Sequence, residues 1–293
     1  MRYRVVHVTR YAYGAPVVLA HNEARLQPRE TATQRCALSE VVVDPLPAVT
    51  AVREDVFGNR VLYFALQEPH DRLVVTATSE VEVTVPYAPD LPDVPAWETA
   101  RDALAVAGDA PRRAARQFML DSPCAVVAPG VRAFAAPSFA PGRRLDEAVA
   151  DLSARIHHEF EFDPDSTTVA TPVTEVLAQR HGVCQDFAHL AIACLRSMGL
   201  PARYVSGYLE TQPPPGKPRL QGADVSHAWF AAFMPGVGWV DFDPTNDVQP
   251  GDRHVTTAWG RDYADVTPLK GVIFGGGAHT LDVAVDMVRL EAE

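Results

Sequence analysis

Cysteine is scarce in this chain of 293 residues: Cys36, Cys124, Cys184 and Cys194 are the only four. None stands in a Cys-x-x-Cys pair, so a disulfide framework and a paired-cysteine zinc site are both disfavoured, and free thiols fit a reducing compartment. Positive charge is also short. The formal net charge of -11 argues against a nucleic-acid surface and against a polybasic membrane anchor. No apolar run is long enough to cross a bilayer, and Met1–Arg10 has no continuous apolar core of the signal-peptide kind. The expectation is a cytoplasmic protein with no nucleic-acid or membrane partner. His-Glu-x-x-His is missing, as is any compact His/Asp spacing, which leaves little support for a metalloenzyme. The run Gly275-Gly276-Gly277 lacks the Gly-Lys-Ser/Thr ending of a phosphate loop and reads as a plain loop. Neither a cofactor nor a metal is expected.

What is present is ordinary globular material, 47% apolar and 22% charged, long enough for about two domains. Residues 1–86 read as β-rich. Tyr3–Thr9, Ala37–Val43, Arg60–Leu66 and Leu73–Val85 carry Val, Thr and Tyr, partly in alternation, as an antiparallel sheet or sandwich does. Gly58-Asn59 supplies the turn of a hairpin. This region holds no cluster of reactive side chains, so an accessory role is expected. Prolines between 86 and 95 mark a boundary, and 87–142 reads as a connector, helical from 97 to 120 with a break near Pro111 and loop from 121 to 142. Residues 143–293 form the second unit, ending in a strand that alternates through Leu281, Val283, Val285 and Met287.

In that unit a helix is predicted over Leu145–His158. A second starts at Thr171-Pro172 as N-cap and first turn and runs to about Gln179. A third begins just after Gly182. Phe187, Leu190, Ala191, Cys194, Leu195 and Met198 recur at steps of three and four, forming one apolar stripe, and Gly199 and Pro201 end it. Cys194 lies on the stripe, as a core thiol should. Cys184 lies in the first turn, where free backbone N–H groups and the helix dipole favour a thiolate. Beyond Pro201 come a strand (Ala202–Leu209), a proline-rich loop (Pro213–Pro218) and a hairpin, His227–Met234 and Gly238–Asp243, turning at Pro235-Gly236.

A cysteine nucleophile needs a base, and the base needs a third group to hold its tautomer. His189 falls on another face of the Cys184 helix, and His157, His158 and His181 have no evident orienting acid. His227 opens a strand whose hairpin partner ends at Asp243, so the two can meet at the open end. Asp241 and Asp243 share a strand face, and geometry alone does not choose between them.

Gly182-Val183-Cys184-Gln185-Asp186-Phe187-Ala188, Ser226-His227-Ala228-Trp229 and Gly238-Trp239-Val240-Asp241-Phe242-Asp243-Pro244-Thr245-Asn246 resemble the bacterial transglutaminase-like family. The resemblance is specific over about residues 145 to 250; the β-rich start is similar, more loosely, to the amino-terminal domain that accompanies this core. It implies an α+β fold with a papain-like core and a Cys-His-Asp triad of Cys184, His227 and Asp243, leaving Asp241 as a neighbour that tunes the site or faces solvent. The implied chemistry is thioester-forming hydrolysis of peptide or protein amide bonds. The alternatives are an amine-accepting transglutaminase and a non-catalytic scaffold on the same fold. One oxyanion donor is expected at the Cys184 backbone N–H. No second is identified, because the Phe160–Asp163 turn offers phenylalanine where an aromatic donor is expected. Asp186 is expected to serve the helix start electrostatically, and Trp229 and Trp239 to pack rather than contact substrate. Oligomeric state is left open.

Overall fold

A computed structural model describes residues 1–84, 94–106, 108–211 and 225–290. The proline-rich boundary expected at 86–95 falls mostly, and the Pro213–Pro218 loop wholly, outside the described residues. In chain order the first elements are β1 (Arg2–Ala24), β2 (Gln34–Asp44), β3 (Val49–Glu54), β4 (Arg60–Leu66) and β5 (His70–Val83). Helices α1 (Trp97–Ala105), α2 (Ala110–Ala115), α3 (Pro129–Ala135) and α4 (Leu145–Glu159) follow. Then come β6 (Glu161–Phe162), α5 (Val173–Gln179), β7 (His181–Gly182), α6 (Cys184–Ser197), β8 (Ala202–Leu209), β9 (Val225–Met234) and β10 (Gly238–Phe242). The chain ends with β11 (His254–Gly260), α7 (Tyr263–Val266), β12 (Leu269–Gly275) and β13 (His279–Arg289).

The long strand β1 organises a seven-stranded sheet. Its first half alternates inward Tyr3, Val5, His7 and Thr9 with outward residues and lies between β5 and β13, all antiparallel. After a register shift between Ala12 and Val17 its second half lies between β4 and β12. β2 and β3 flank β5 and β4. The hairpin expected at Gly58-Asn59 is β3–β4, with Gly58 at φ 73°.

A second sheet runs β10-β9-β8-β11, and α6 packs against β8 and β9. The helix is buried on all sides rather than along one stripe, because α3, α4 and α5 cover the face opposite the sheet. Its polar members are satisfied inside. His189 Nε2 accepts the Tyr263 N–H, and the Arg196 guanidinium donates to the carbonyls of Phe118, Ala125 and Arg261 and to the Ser122 hydroxyl.

Three expectations shift. Residues 121–142 are not all loop: Val131, Phe134 and Ala135 bury one side of α3, and Pro129 opens it. The N-cap of α5 is Pro172, one residue later than Thr171, whose hydroxyl accepts the Thr168 N–H instead. The carboxy-terminal strands β12 and β13 pair with β1 and complete the first sheet, instead of staying with the unit expected at 143–293.

The two sheets meet at β11, the edge strand of the second. Gln34 donates its amide to the Thr256 carbonyl and accepts the Thr256 N–H, both at 2.8 Å. Asn59, fully buried, repeats this on Trp259, donating at 2.8 Å and accepting at 3.0 Å. Two side-chain amides thus stand in for a missing strand, and Tyr3, Val81, Val285, Tyr208 and Val255 form an apolar seam beside them.

Gly207 faces His227 across β8 and β9. A Cβ there would lie 2.1 Å from the Val255 carbonyl oxygen and 2.6 Å from the Trp229 ring. Gly207→Ala is therefore expected to destabilise the fold by about 1–3 kcal/mol. Thermal unfolding checks this, and an unchanged midpoint would contradict the packing described.

Candidate active site

Gly182 ends the short strand β7, and Val183, extended at φ -114° and ψ 177°, is the N-cap of α6. The Asp186 carboxylate reaches back to accept the Val183 N–H at 2.9 Å and the Thr167 hydroxyl at 2.6 Å. A Cβ on residue 182 would meet that carboxylate at 2.9 Å, so glycine is needed there. Burial raises the Asp186 carboxyl against the lowering effect of those two hydrogen bonds. Its role is structural as well as electrostatic, for it fixes the direction in which the chain enters α6. Cys184 becomes the first helical residue, half-buried at the start of α6.

His227 stands near the start of β9, only 6% exposed. The hairpin register pairs Phe242 with Phe230, after which the chain leaves the ladder and Asp243 bridges to Val248. The turn carries Asp243 under His227, and His227 Nε2 donates to Asp243 Oδ2 at 2.7 Å. The Cys184 side chain acts on the same ring, adding to the rise that Asp243 produces in the imidazole. With Nε2 engaged by the carboxylate, Nδ1 is the nitrogen left for sulfur. The three residues singled out from the sequence are therefore together. Cys194 is fully buried, and burial holds its thiol well above the ordinary range.

Asp243 is fully buried and accepts five hydrogen bonds. Oδ1 takes the backbone N–H groups of Thr245 and Asn246 at 3.0 and 3.3 Å. Oδ2 takes His227, the Asn246 amide at 2.7 Å and His254 Nε2 at 3.2 Å. Burial by itself would raise this carboxyl. The hydrogen bonds from His227 and His254 outweigh it and hold Asp243 well below the usual carboxylate range. Burial would likewise lower His227, but Asp243 and then Cys184 overcome it and lift the imidazole to about 10. Tyr204, buried in the α6-facing core, keeps its proton because of burial first and the nearby Cys184 second.

Asp241 does not face solvent freely. It lies against the Arg203 guanidinium, and burial raises its carboxyl despite that charge. Arg203 itself is stacked between Trp239 at 4.5 Å and Trp259 at 3.8 Å. Trp229 is fully buried, and Trp239 packs on Phe118 and Phe233, so both indoles have packing partners. Gln185 turns toward the Val169 carbonyl at 3.5 Å, and Phe160 is buried against Phe134 and Phe187. His254 and Asn246 were not singled out from the sequence. Asn246 follows Asp243 by three residues, a local signal for a side chain folding back onto the turn. For His254 no such signal exists.

Residues 3–82 match the bacterial transglutaminase-like N-terminal region, and residues 132–244 match the transglutaminase-like superfamily. An uncharacterized protein of Mycobacterium tuberculosis is 44% identical over 301 residues, spanning 100% of this chain and 94% of its own. The chain belongs to the transglutaminase-like superfamily. An uncharacterized Mycobacterium leprae member is 38% identical over 99% of both chains. A protein-glutamine gamma-glutamyltransferase of Pseudomonas aeruginosa is 32% identical over 107 residues, 34% of this chain and 16% of that protein. Among solved structures, one of a candidate cysteine protease from Cytophaga hutchinsonii overlays with TM-score 0.77 at 22% identity, covering 100% of this chain and 92% of that one. That likeness establishes the fold: a transglutaminase-like core with a β-rich amino-terminal region.

The opposed shifts of His227 and Asp243 give the site a defined pH window. His227 rises on folding from 6.5 to about 10, so its stabilisation is full below about pH 6.5 and is lost as pH climbs toward 10. Asp243 is lowered from 3.8, so its stabilisation is full above that value and is lost as the pH falls below it. Wild type should exceed His227→Gln in unfolding temperature most between about pH 4 and pH 6.5, with the gap closing toward pH 10. A gap constant from pH 6 to pH 9.5 in calorimetry would contradict this.

Proposed function

We propose that this transglutaminase-like protein hydrolyses amide or peptide bonds through a thioester on Cys184. His227, protonated at rest, acts as acid and then as base, and Asp243 holds His227 in place. The observation that carries the reading is the His227 ring, bonded on Nε2 to a buried carboxylate and raised further by the Cys184 side chain.

His227, lifted to about 10, rests as an imidazolium with its second proton on Nδ1 toward a Cys184 thiolate, and that sulfur attacks the carbonyl carbon of a carboxamide or peptide. The oxyanion that forms lies near the start of α6, where the Cys184 backbone N–H and the positive end of the helix dipole face it. Collapse of this intermediate expels ammonia or an amine, which leaves with the proton from His227. Water, deprotonated by His227, then attacks the thioester, and a carboxylic acid is released. Asp243 remains ionised throughout, keeping Nε2 protonated and Nδ1 free to exchange the proton.

A second reading replaces water with a substrate amine. The partial likeness to the Pseudomonas aeruginosa glutamyltransferase favours it, although that likeness spans about a third of this chain. Assay of the full chain with glutamine-containing peptides, with and without a labelled primary amine, separates the two. The hydrolytic reading expects ammonia or peptide products without amine incorporation; amine incorporation would establish the other. Cys184→Ala should abolish either activity, and Asp243→Asn should lower kcat/KM by about 10²–10⁴-fold. Activity or biological function unaffected by Cys184→Ala would overturn both readings in favour of a scaffold.

A further inference from the structure

His254 is the second histidine on Asp243. It opens β11, is 7% exposed, and sits opposite Leu209 of β8 with its ring edge-on to Trp229 at 5.3 Å. Its two nitrogens have unlike partners. Nδ1 accepts the Gly251 backbone N–H at 3.3 Å, so it carries no proton. The proton is therefore on Nε2, which donates to Asp243 Oδ2 at 3.2 Å. The turn from Gly251 to His254, closed by His254 N–H to the Gly251 carbonyl, fixes this arrangement in the backbone.

The same atoms invite another assignment. The ligand atoms of His227, Asp243 and His254 lie within 4.8 Å of one another, a donor set of two imidazoles and one carboxylate. A metal would require the lone pair of His254 Nε2. The proton would then have to move to Nδ1, where it would point at the Gly251 N–H, donor against donor. Metal-bound histidines instead give their other N–H to a carbonyl or carboxylate. The surroundings of His254 fit a hydrogen-bond donor and do not fit a ligand.

Resting on the hydrolase reading above, we propose that His254 is a positioning residue for the reaction. As a neutral donor on Nε2 it holds the Asp243 carboxylate at the oxygen that orients His227, and its effect on Cys184 passes through those two residues. Losing it removes one of the three donors on Oδ2, the oxygen that orients His227, while the Thr245 and Asn246 bonds remain.

The experiment measures the rate at which limiting iodoacetamide labels Cys184 at pH 6, by peptide mass mapping, in full-length wild type, His227→Ala, His254→Leu and His254→Gln, each with its unfolding temperature. An ordinary thiol reacts slowly there, so fast labelling reports the ion pair. His254→Leu should label Cys184 about tenfold more slowly, the scale of one lost charge-assisted hydrogen bond. His254→Gln, whose amide N–H can replace the donor, should return close to the wild-type rate. If Leu matches wild type, or Gln is as slow as Leu, the positioning role is wrong. If His227→Ala labels as fast as wild type, the triad reading falls first, whatever His254 does.

Nitrogen-15 NMR of the wild-type imidazoles keeps the proposal open to test even if His254→Leu does not fold. A protonated Nε2 and bare Nδ1 on His254 are expected, and the reverse tautomer would overturn it. So would zinc binding by wild type that is lost in His254→Gln, measured by calorimetry with zinc chloride.

Discussion

A carboxylate with no solvent contact must have its lone pairs used inside the protein, since an unpaired buried charge costs several kcal/mol. Asp243 meets that condition with five donors, drawn from three separate pieces of chain: β9 through His227, β11 through His254, and the turn from 243 to 248 itself. The turn has to fold back so that two backbone N–H groups reach Oδ1, and the Pro-Thr-Asn sequence after Asp243 favours such an Asx-type fold. The hairpin must leave its ladder at Phe242 for this to happen. Geometry at the thiol thus depends on a group that does not itself touch the thiol.

The dependence extends into the first sheet. His254 is placed by β11, and β11 is an edge strand whose outer side would present unpaired backbone groups. Gln34 and Asn59 cover that side by imitating peptide groups, with the Arg29 guanidinium stacked 3.6 Å over the Trp259 ring. Unlike a strand, two amides pair only two positions, and the rest of the junction is made by side-chain packing and by bonds such as His7 to Tyr208 and Arg289 to Glu210. The β-rich region holds none of the Cys184, His227 and Asp243 set, yet the strand bearing His254 is docked on it. Its expected accessory role acquires a physical content in this way: it completes the hydrogen bonding of a strand one step from the site.

What could be read from the sequence was what local order encodes. Cys184 is marked by the glycine before it and the apolar steps after it, and His227 and Asp243 by a hairpin with an obvious turn. Alternation could not separate Asp241 from Asp243, because that choice is made where the strand ends and by Arg203 on β8, 38 residues before Asp241 and outside any local periodicity. His254 depends on the β8–β11 pairing, which leaves no trace in its own neighbourhood; β13 shows itself by alternation, but its partner near the other end of the chain does not. The short helix α3 is an intermediate case. Its Val131, Phe134 and Ala135 have helical spacing, but seven residues opened by Pro-Gly give too few repeats to stand out from a loop.

The identity of the donors around Asp243 bears on how a buried imidazole can be kept protonated. Desolvation works against the imidazolium at His227, and only a full negative charge close by can reverse it. Had an arginine been the second partner of Asp243, hydrogen bonding would have been just as complete, but the carboxylate's charge would have been divided between two cations. His254, bare on Nδ1, together with the Asn246 amide and two backbone N–H groups, satisfies the oxygens without adding positive charge. The charge of Asp243 therefore remains available to His227, and through it to the sulfur. Neutral donors do what an ion pair could not: they make burial of the carboxylate tolerable and leave its field intact.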